Sequence, residues 1–194
     1  VAELYGGVRA LASIDPESAW REYRAARARL LKSHPQTPLN AKQREQFEAL
    51  DYYDYDPTWR LHGTFLGHAD GQTRQIDLRE DGLFSHTTVG VVRFEAPGGD
   101  AELQLYWVEG YGGGLFLPFA DRTNSSATYA GGRYLLDGIK GADLGSDADR
   151  LILDFNFAYN PSCAYDERWV CPLPQPENKL PFEVPVGEKD FPGR

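Results

Sequence analysis

From Arg60 onward the sequence runs as short apolar–polar alternations broken by turn-forming residues, and this pattern restricts the region to sheet. A period of two places one face of a strand in a core and the other in a polar environment, which a helix cannot do. Candidate strands cover 60–68, 73–78, 87–95, 101–108, 114–119, 128–136, 150–158 and 182–186. Asp-Gly, Pro-Gly-Gly and Gly-Gly-Gly separate them and supply the backbone freedom that tight reversals need. Most links are short and no helical period intervenes. Consecutive strands are therefore expected to pair antiparallel and to close into a β-barrel or sandwich.

The first fifty residues follow a different period. Asp15 is a good N-cap and Pro16 sits at the first helical position, where its missing N–H costs nothing. Trp20, Tyr23, Arg27, Leu30 and Leu31 then recur at three-to-four spacing, and the Arg and Leu stems can cover one face. The helix should stop near Ser33, because His34 precedes Pro35. Asn40 with Gln43 marks a second cap, for a short helix through Phe47 to about Leu50. The basic residues between Arg21 and Lys32 are flanked by Glu17 and Glu22 and read as a solvated helix face. Asp51 to Trp59 (DYYDYDPTW) reads as an aromatic packing corner. The expected organisation is a helical extension, 1–50, packed on a β-rich domain, 51–194.

Composition narrows the function classes. A chain of 194 residues, 41% hydrophobic, can bury a full core without staples. Twenty basic against twenty-nine acidic residues, a formal charge of -9, leave no basic stripe for nucleic acid or an anionic membrane. No apolar run approaches the roughly 20 residues of a bilayer span. The opening VAELYGGVRALAS lacks the charged start and apolar run of a signal peptide, so a cytoplasmic location is the expectation. The sequence does not begin with Met, which leaves residues upstream open.

The candidate site lies in 150–189, a proline-rich stretch holding both cysteines. Read as a strand from Arg150, it points Leu151, Leu153, Phe155, Phe157 and Tyr159 one way and Ile152, Asp154, Asn156 and Asn160 the other. Two-residue steps space those polar groups about 7 Å apart. In TYAGGRYLL, Tyr129, Gly131 and Arg133 share a face, and the glycines leave room against the backbone. Arg133 can reach Asp154 as an ion pair or present its guanidinium fork to a carboxylate or phosphate. One reading is an internal network that fixes the barrel and a long C-terminal arm. The other is a small-molecule pocket. Asp121 and Thr123 are suited to satisfying turn backbone groups.

Cys163 and Cys171 are separated by AYDERWV, and a disulfide there would close a short loop. A metal site would need two more ligands, and a nucleophilic Cys would need a base, which the sequence does not supply. His34, His62, His68 and His86 are scattered. No catalytic elbow, phosphate loop, zinc helix or dinucleotide fingerprint occurs.

LFLPFADRT, TYAGGRYLL, LDFNFAYNPSCAYDERWVCPLPQPENKL and VGEK, in that order, resemble the bacterial family known as domain of unknown function 1684. SHPQTPL and YYDYDP before the first strand carry the likeness toward the N-terminus. The resemblance marks Asp121, Thr123, Tyr129, Gly132, Arg133, Asp154, Asn156, Asn160, Cys163, Cys171, Asn178 and Glu188 as family positions. It implies a cytoplasmic, actinobacterial-type member, and it implies no activity. Ala130 stands where the family usually has a further glycine. The insertion LDGIKGADLGSDAD reads as a hairpin tip or loop. Tyr129, Arg133, Asp154, Asn156 and Asn160 are thus the expected ligand-binding residues, with Asp121, Thr123, Asn178 and Glu188 in support. The expected ligand is a small polar or anionic molecule. The rivals are a hydrolase using Asp154 as base or metal ligand, and a structural or protein-interaction module. No cofactor or oligomeric state is specified.

Overall fold

The computed structural model describes residues 2–67, 71–78, 82–109, 113–137, 143–147 and 150–192. The chain opens with helices α1 (Ala2–Ala12), α2 (Pro16–Ser33) and α3 (Ala41–Gln46). Asp15 caps α2 by accepting the Ser18 N–H at 3.1 Å, and the Ser18 side chain together with that bond pulls the Asp15 pKa below its ordinary value. His34 adopts an extended backbone before Pro35 and ends the helix. Asn40 and Gln43 form a reciprocal capping box at 2.8 and 2.9 Å. α3 is shorter than its sequence suggests, because Phe47 is already extended, although Phe47 and Leu50 remain buried.

The strands are β1 (Arg60–Gly67), β2 (Thr73–Asp77), β3 (Leu83–Ala96), β4 (Gly99–Glu109), β5 (Gly114–Phe119), β6 (Arg133–Asp137), β7 (Ser146–Asp147) and β8 (Arg150–Asp154). They form one antiparallel sheet in the order β6-β5-β4-β3-β1-β8-β7, with β2 on β3. The sheet curls into a half-barrel. A bulge between Thr88 and Gly90 bends the long β3–β4 hairpin. A Cβ on Gly90 would lie 2.3 Å from the Leu66 carbonyl, so only glycine allows that approach. Past β8 the chain returns to the far edge, where Tyr134 and Tyr159 exchange backbone hydrogen bonds at 2.9 and 3.0 Å.

Each face of the sheet has its own cover. Tyr106, Val108, Phe116 and Tyr134 pack with Tyr5, Val8, Trp20, Tyr23 and Leu31 of α1 and α2. The alternate residues Leu103, Leu105, Leu117, Phe119 and Leu153 pack with Leu180, Val184 and Val186 of the C-terminal arm. Helices on one side and a proline-rich arm on the other seal the sheet. Among the described residues no helix is long and apolar enough to cross a membrane.

Three expected strands are shortened or absent for physical reasons. The strand read over 150–158 ends at Asp154, whose carboxylate accepts the Asn156 N–H at 3.1 Å and turns Phe155–Phe157 into a 3-10 helix. Alternation therefore stops before Asn156 and Asn160. The strand read over 128–136 begins only at Arg133, after a turn with Gly132 at φ 85°. The segment 182–186 makes no ladder, because Arg133 takes the Val184 and Val186 carbonyls. Half of the expected loop over 136–149 falls outside the described residues, and His68 lies outside them too.

Candidate functional site

Arg133 and Asp154 do not pair. Arg133 is fully buried and donates from Nη2 to Asp121 Oδ2 at 2.8 Å and to the Val184 carbonyl at 2.9 Å. Its Nη1 donates to the Val186 carbonyl and, at 3.4 Å, to that of Glu188. Asp121 Oδ1 accepts from the Thr123 N–H at 2.8 Å, the Thr123 hydroxyl at 2.6 Å and the Val184 N–H at 3.1 Å. This assembly clamps the arm to β6. The gap expected beside the glycines is filled: a Cβ on Gly131 would meet the Tyr129 ring at 2.5 Å, and one on Gly132 would meet Pro174 at 2.7 Å. These glycines serve close packing and leave no space for a ligand.

Asp154 has a separate set of partners. Its Oδ1 accepts the Asn156 side-chain amide at 2.8 Å, and its Oδ2 accepts Arg60 at 3.2 Å and the Tyr55 hydroxyl at 3.4 Å. Burial raises its pKa, while Asn156 and Arg60 pull it back. A general base must reach a substrate proton; Asp154 is fully buried with both oxygens engaged. Asn156 mimics a strand partner, accepting the Asp56 N–H and donating to the Asp56 carbonyl, both at 2.8 Å. Asn178 does the same for Gln104, accepting its N–H and donating to its carbonyl, both at 2.9 Å. Tyr129 donates to Cys163 Sγ at 3.6 Å, and the Cys163 N–H points at Cys171 Sγ at 3.2 Å, which brings the two cysteines side by side. Among the described residues no group of three or more His, Cys, Asp or Glu is placed to hold a metal ion.

Asn160 and Glu188 lie in a different and more open place. Glu188, 1% exposed, accepts from Arg27 Nε at 3.1 Å, the Asn160 N–H at 3.1 Å, the Asn160 amide at 3.2 Å, Tyr52 at 3.4 Å and the Tyr165 hydroxyl. Arg27 Nη2 also donates to the Asn160 carbonyl at 2.9 Å and to Tyr165 at 3.0 Å, and its guanidinium lies 4.6 Å over the Tyr159 ring. Burial holds the Tyr52 and Tyr165 pKa values far above the phenol range. Burial alone would lower that of Arg27, but Tyr165 and Glu188 outweigh it and keep the guanidinium charged. Arg27 is thus no part of a solvated face. A cation on an apolar helical stripe was the signal for a buried partner, and Glu188 is that partner.

A cavity of ≈ 240 Å³ opens above this network, between α2, the 34–38 loop and the 160–165 segment. Arg27, Asn160, Ser162 and Tyr165 supply its polar surface, and Leu30, Leu31, Pro38 and Tyr5 supply apolar wall. Asn160 Oδ1 is buried and has no hydrogen-bond partner. Among the described residues Arg27 Nη1 also has none, since Nε and Nη2 make the bonds. A wider groove of ≈ 870 Å³ runs over Arg60, His62, Thr64, Arg93, Glu102 and Arg150. It is an open charged surface on which Arg93 and Glu102 pair at 2.5 Å, and among the described residues it contains no buried polar atom lacking a partner.

Comparison with known proteins agrees with this fold. An uncharacterised protein of Haloarcula marismortui, solved in solution by NMR, superposes with a TM-score of 0.68 at 30% identity over 91% of this chain and 95% of that one. No curated protein matches the chain. The profile of the family described as "Protein of unknown function (DUF1684)" matches residues 45–189, from the end of α3 through Lys189, and the chain belongs to that family.

Proposed function

We propose that this protein binds a small polar molecule in the cavity between α2 and the 160–165 segment. The observation that supports this reading is a concave space lined by the Arg27 guanidinium, whose Nη1 is unused among the described residues. A charged donor without a protein partner in a concave, partly apolar space is suited to a ligand acceptor. The remaining family positions hold the arm in place and make the cavity floor rigid, which favours binding by reducing the cost of ordering. Native mass spectrometry of protein purified without chelators, followed by a thermal-shift panel of small polar compounds, tests the reading. A retained or added compound should raise the melting temperature of the unmodified chain and leave Leu30→Trp, which fills the cavity, unaffected. Equal shifts in both proteins, or none in either, would refute it.

A further inference from the structure

We infer that the group recognised in this cavity is a carboxylate carried on a small apolar body; this rests on the binding reading above. Arg27, Leu31 and the C-cap His34 follow one another along α2 at four-and-three spacing, so one helical face brings a cation, an apolar residue and an imidazole to the same wall. What these groups have left to offer is donors. Arg27 uses Nε and Nη2, and its remaining Nη1 can only donate. His34 Nδ1 accepts the Gln36 N–H at 3.1 Å, so in the neutral ring the proton sits on Nε2, which donates. Across from the helix, Ser162 brings a half-buried hydroxyl that makes no hydrogen bond among the described residues.

Charge points the same way. The chain carries twenty-nine acidic residues against twenty basic ones, yet among the described residues the wall holds no Asp or Glu. Glu188 pairs with Arg27 at 3.1 Å but is not part of the wall, and Asn160, Tyr52 and Tyr165 also donate to it, so its charge is held by several groups besides Arg27. Bare carbonyls at the end of α2 would repel an anion. Here the Leu30 carbonyl accepts the His34 N–H at 2.9 Å, that of Leu31 accepts the Thr37 hydroxyl, and that of Lys32 accepts Arg44 at 3.1 Å. A carboxylate therefore meets donors on its polar side, one of them charged. Leu30, Leu31, Pro38 and Tyr5 give the rest of the ligand an apolar wall, and ≈ 240 Å³ limits it to a small body. The same wall would set the further oxygens of a phosphate against apolar carbon.

Benzoate and benzamide, matched in size and shape, separate a charged acceptor from a neutral one. Amide resonances of the full chain are followed by NMR through a titration with each compound at neutral pH. Benzoate should shift the resonances of Ser162, Tyr165 and Gln36 and bind at least about tenfold more tightly than benzamide, the factor expected when a charged acceptor replaces a neutral one at a single donor. In Leu30→Trp, with an unchanged melting temperature, those shifts should vanish. A smaller preference for benzoate, or benzamide as the tighter ligand at these residues, would overturn the carboxylate inference and leave the binding site standing. Benzoate shifts that persist in Leu30→Trp would overturn both. Shifts from neither compound at these residues would overturn the carboxylate inference, and the thermal-shift comparison above decides the binding site separately.

Discussion

Arg27→Met separates a buried structural charge from a surface one. The substitution keeps most of the aliphatic stem and removes the guanidinium. The Glu188 carboxylate then loses the only cation bonded to it among the described residues, at 3.1 Å, while the Asn160 carbonyl and the Tyr165 hydroxyl each lose a donor. Glu188 retains four donors, two from Asn160, one from Tyr52 and one from Tyr165. They solvate the carboxylate in part but do not neutralise it. Breaking a buried ion pair from one side costs about 3–5 kcal/mol, and the four remaining donors place this variant near the lower end, about 3 kcal/mol. For a chain of this size each kcal/mol moves the melting temperature by about 2–4 °C, so a drop of about 6–12 °C is expected. Urea unfolding followed by the fluorescence of buried Trp20 and Trp59 gives the free energy directly. The cycle closes with Glu188→Gln and the double variant. Because the two residues share partners, the double loss should fall short of the sum by about 1.5–3 kcal/mol. A single-variant cost under about 1 kcal/mol, or additivity within about 0.5 kcal/mol, would refute the claim that α2 delivers the counter-charge of the arm.

Three further outcomes follow from the other networks. Arg133→Met leaves buried Asp121 without its cation and the arm carbonyls without donors; a loss of about 3–5 kcal/mol is expected, with new protease cleavage in 181–190, and an uncut arm would count against the clamp. Burial lifts the Asp154 pKa above 3.8, so its ionisation opposes folding: its contribution is full below the unfolded pKa and is lost as pH rises through the raised folded value. The stability gap between the native chain and Asp154→Asn should therefore be wider near pH 3.5 than at pH 7, and a gap independent of pH would contradict the shift. Burial, with Arg74 nearby, lowers the His86 pKa below 6.5, so stability is full above that value and falls as pH drops toward the folded pKa; His86→Phe, seated against Tyr106 at 4.9 Å, should flatten that acid limb in melts between pH 5 and 7.5.

The antiparallel sheet was legible because turn residues and period-two alternation are local signals. Asp15, Pro16, Asn40 and Gln43 placed the helix starts for the same reason. The candidate site was legible only as a set of residues. Asp121, Arg133, Asp154, Asn156, Asn160, Asn178 and Glu188 are all buried, but they divide among separate networks rather than one pocket. What hid this was Asp154, which caps its own 3-10 turn and so ends the alternation on which the common face depended. Arg27, Tyr165 and Arg60 were missed as site residues because their partners lie 161, 23 and 94 positions away. No local period encodes a contact at that separation.

The polar family positions answer a backbone accounting problem. An arm that carries Pro172, Pro174, Pro176, Pro181 and Pro185 cannot run a ladder, because proline brings no N–H, yet the arm must cover Leu103, Leu117 and Phe119. Its buried groups therefore need side-chain partners. Arg133 collects the carbonyls of Val184, Val186 and Glu188, Asn160 collects that of Lys189, and Asn178 ties the start of the arm to Gln104 and Pro118. Apolar residues at these positions would pack, but they would leave those carbonyls unpaired and the register of the arm unspecified. Among the described residues the arm and sheet bring no cation to the Glu188 carboxylate, and α2 supplies one through Arg27. The N-terminal helices thus complete the charge balance of the β domain, and the cavity lies where the two meet.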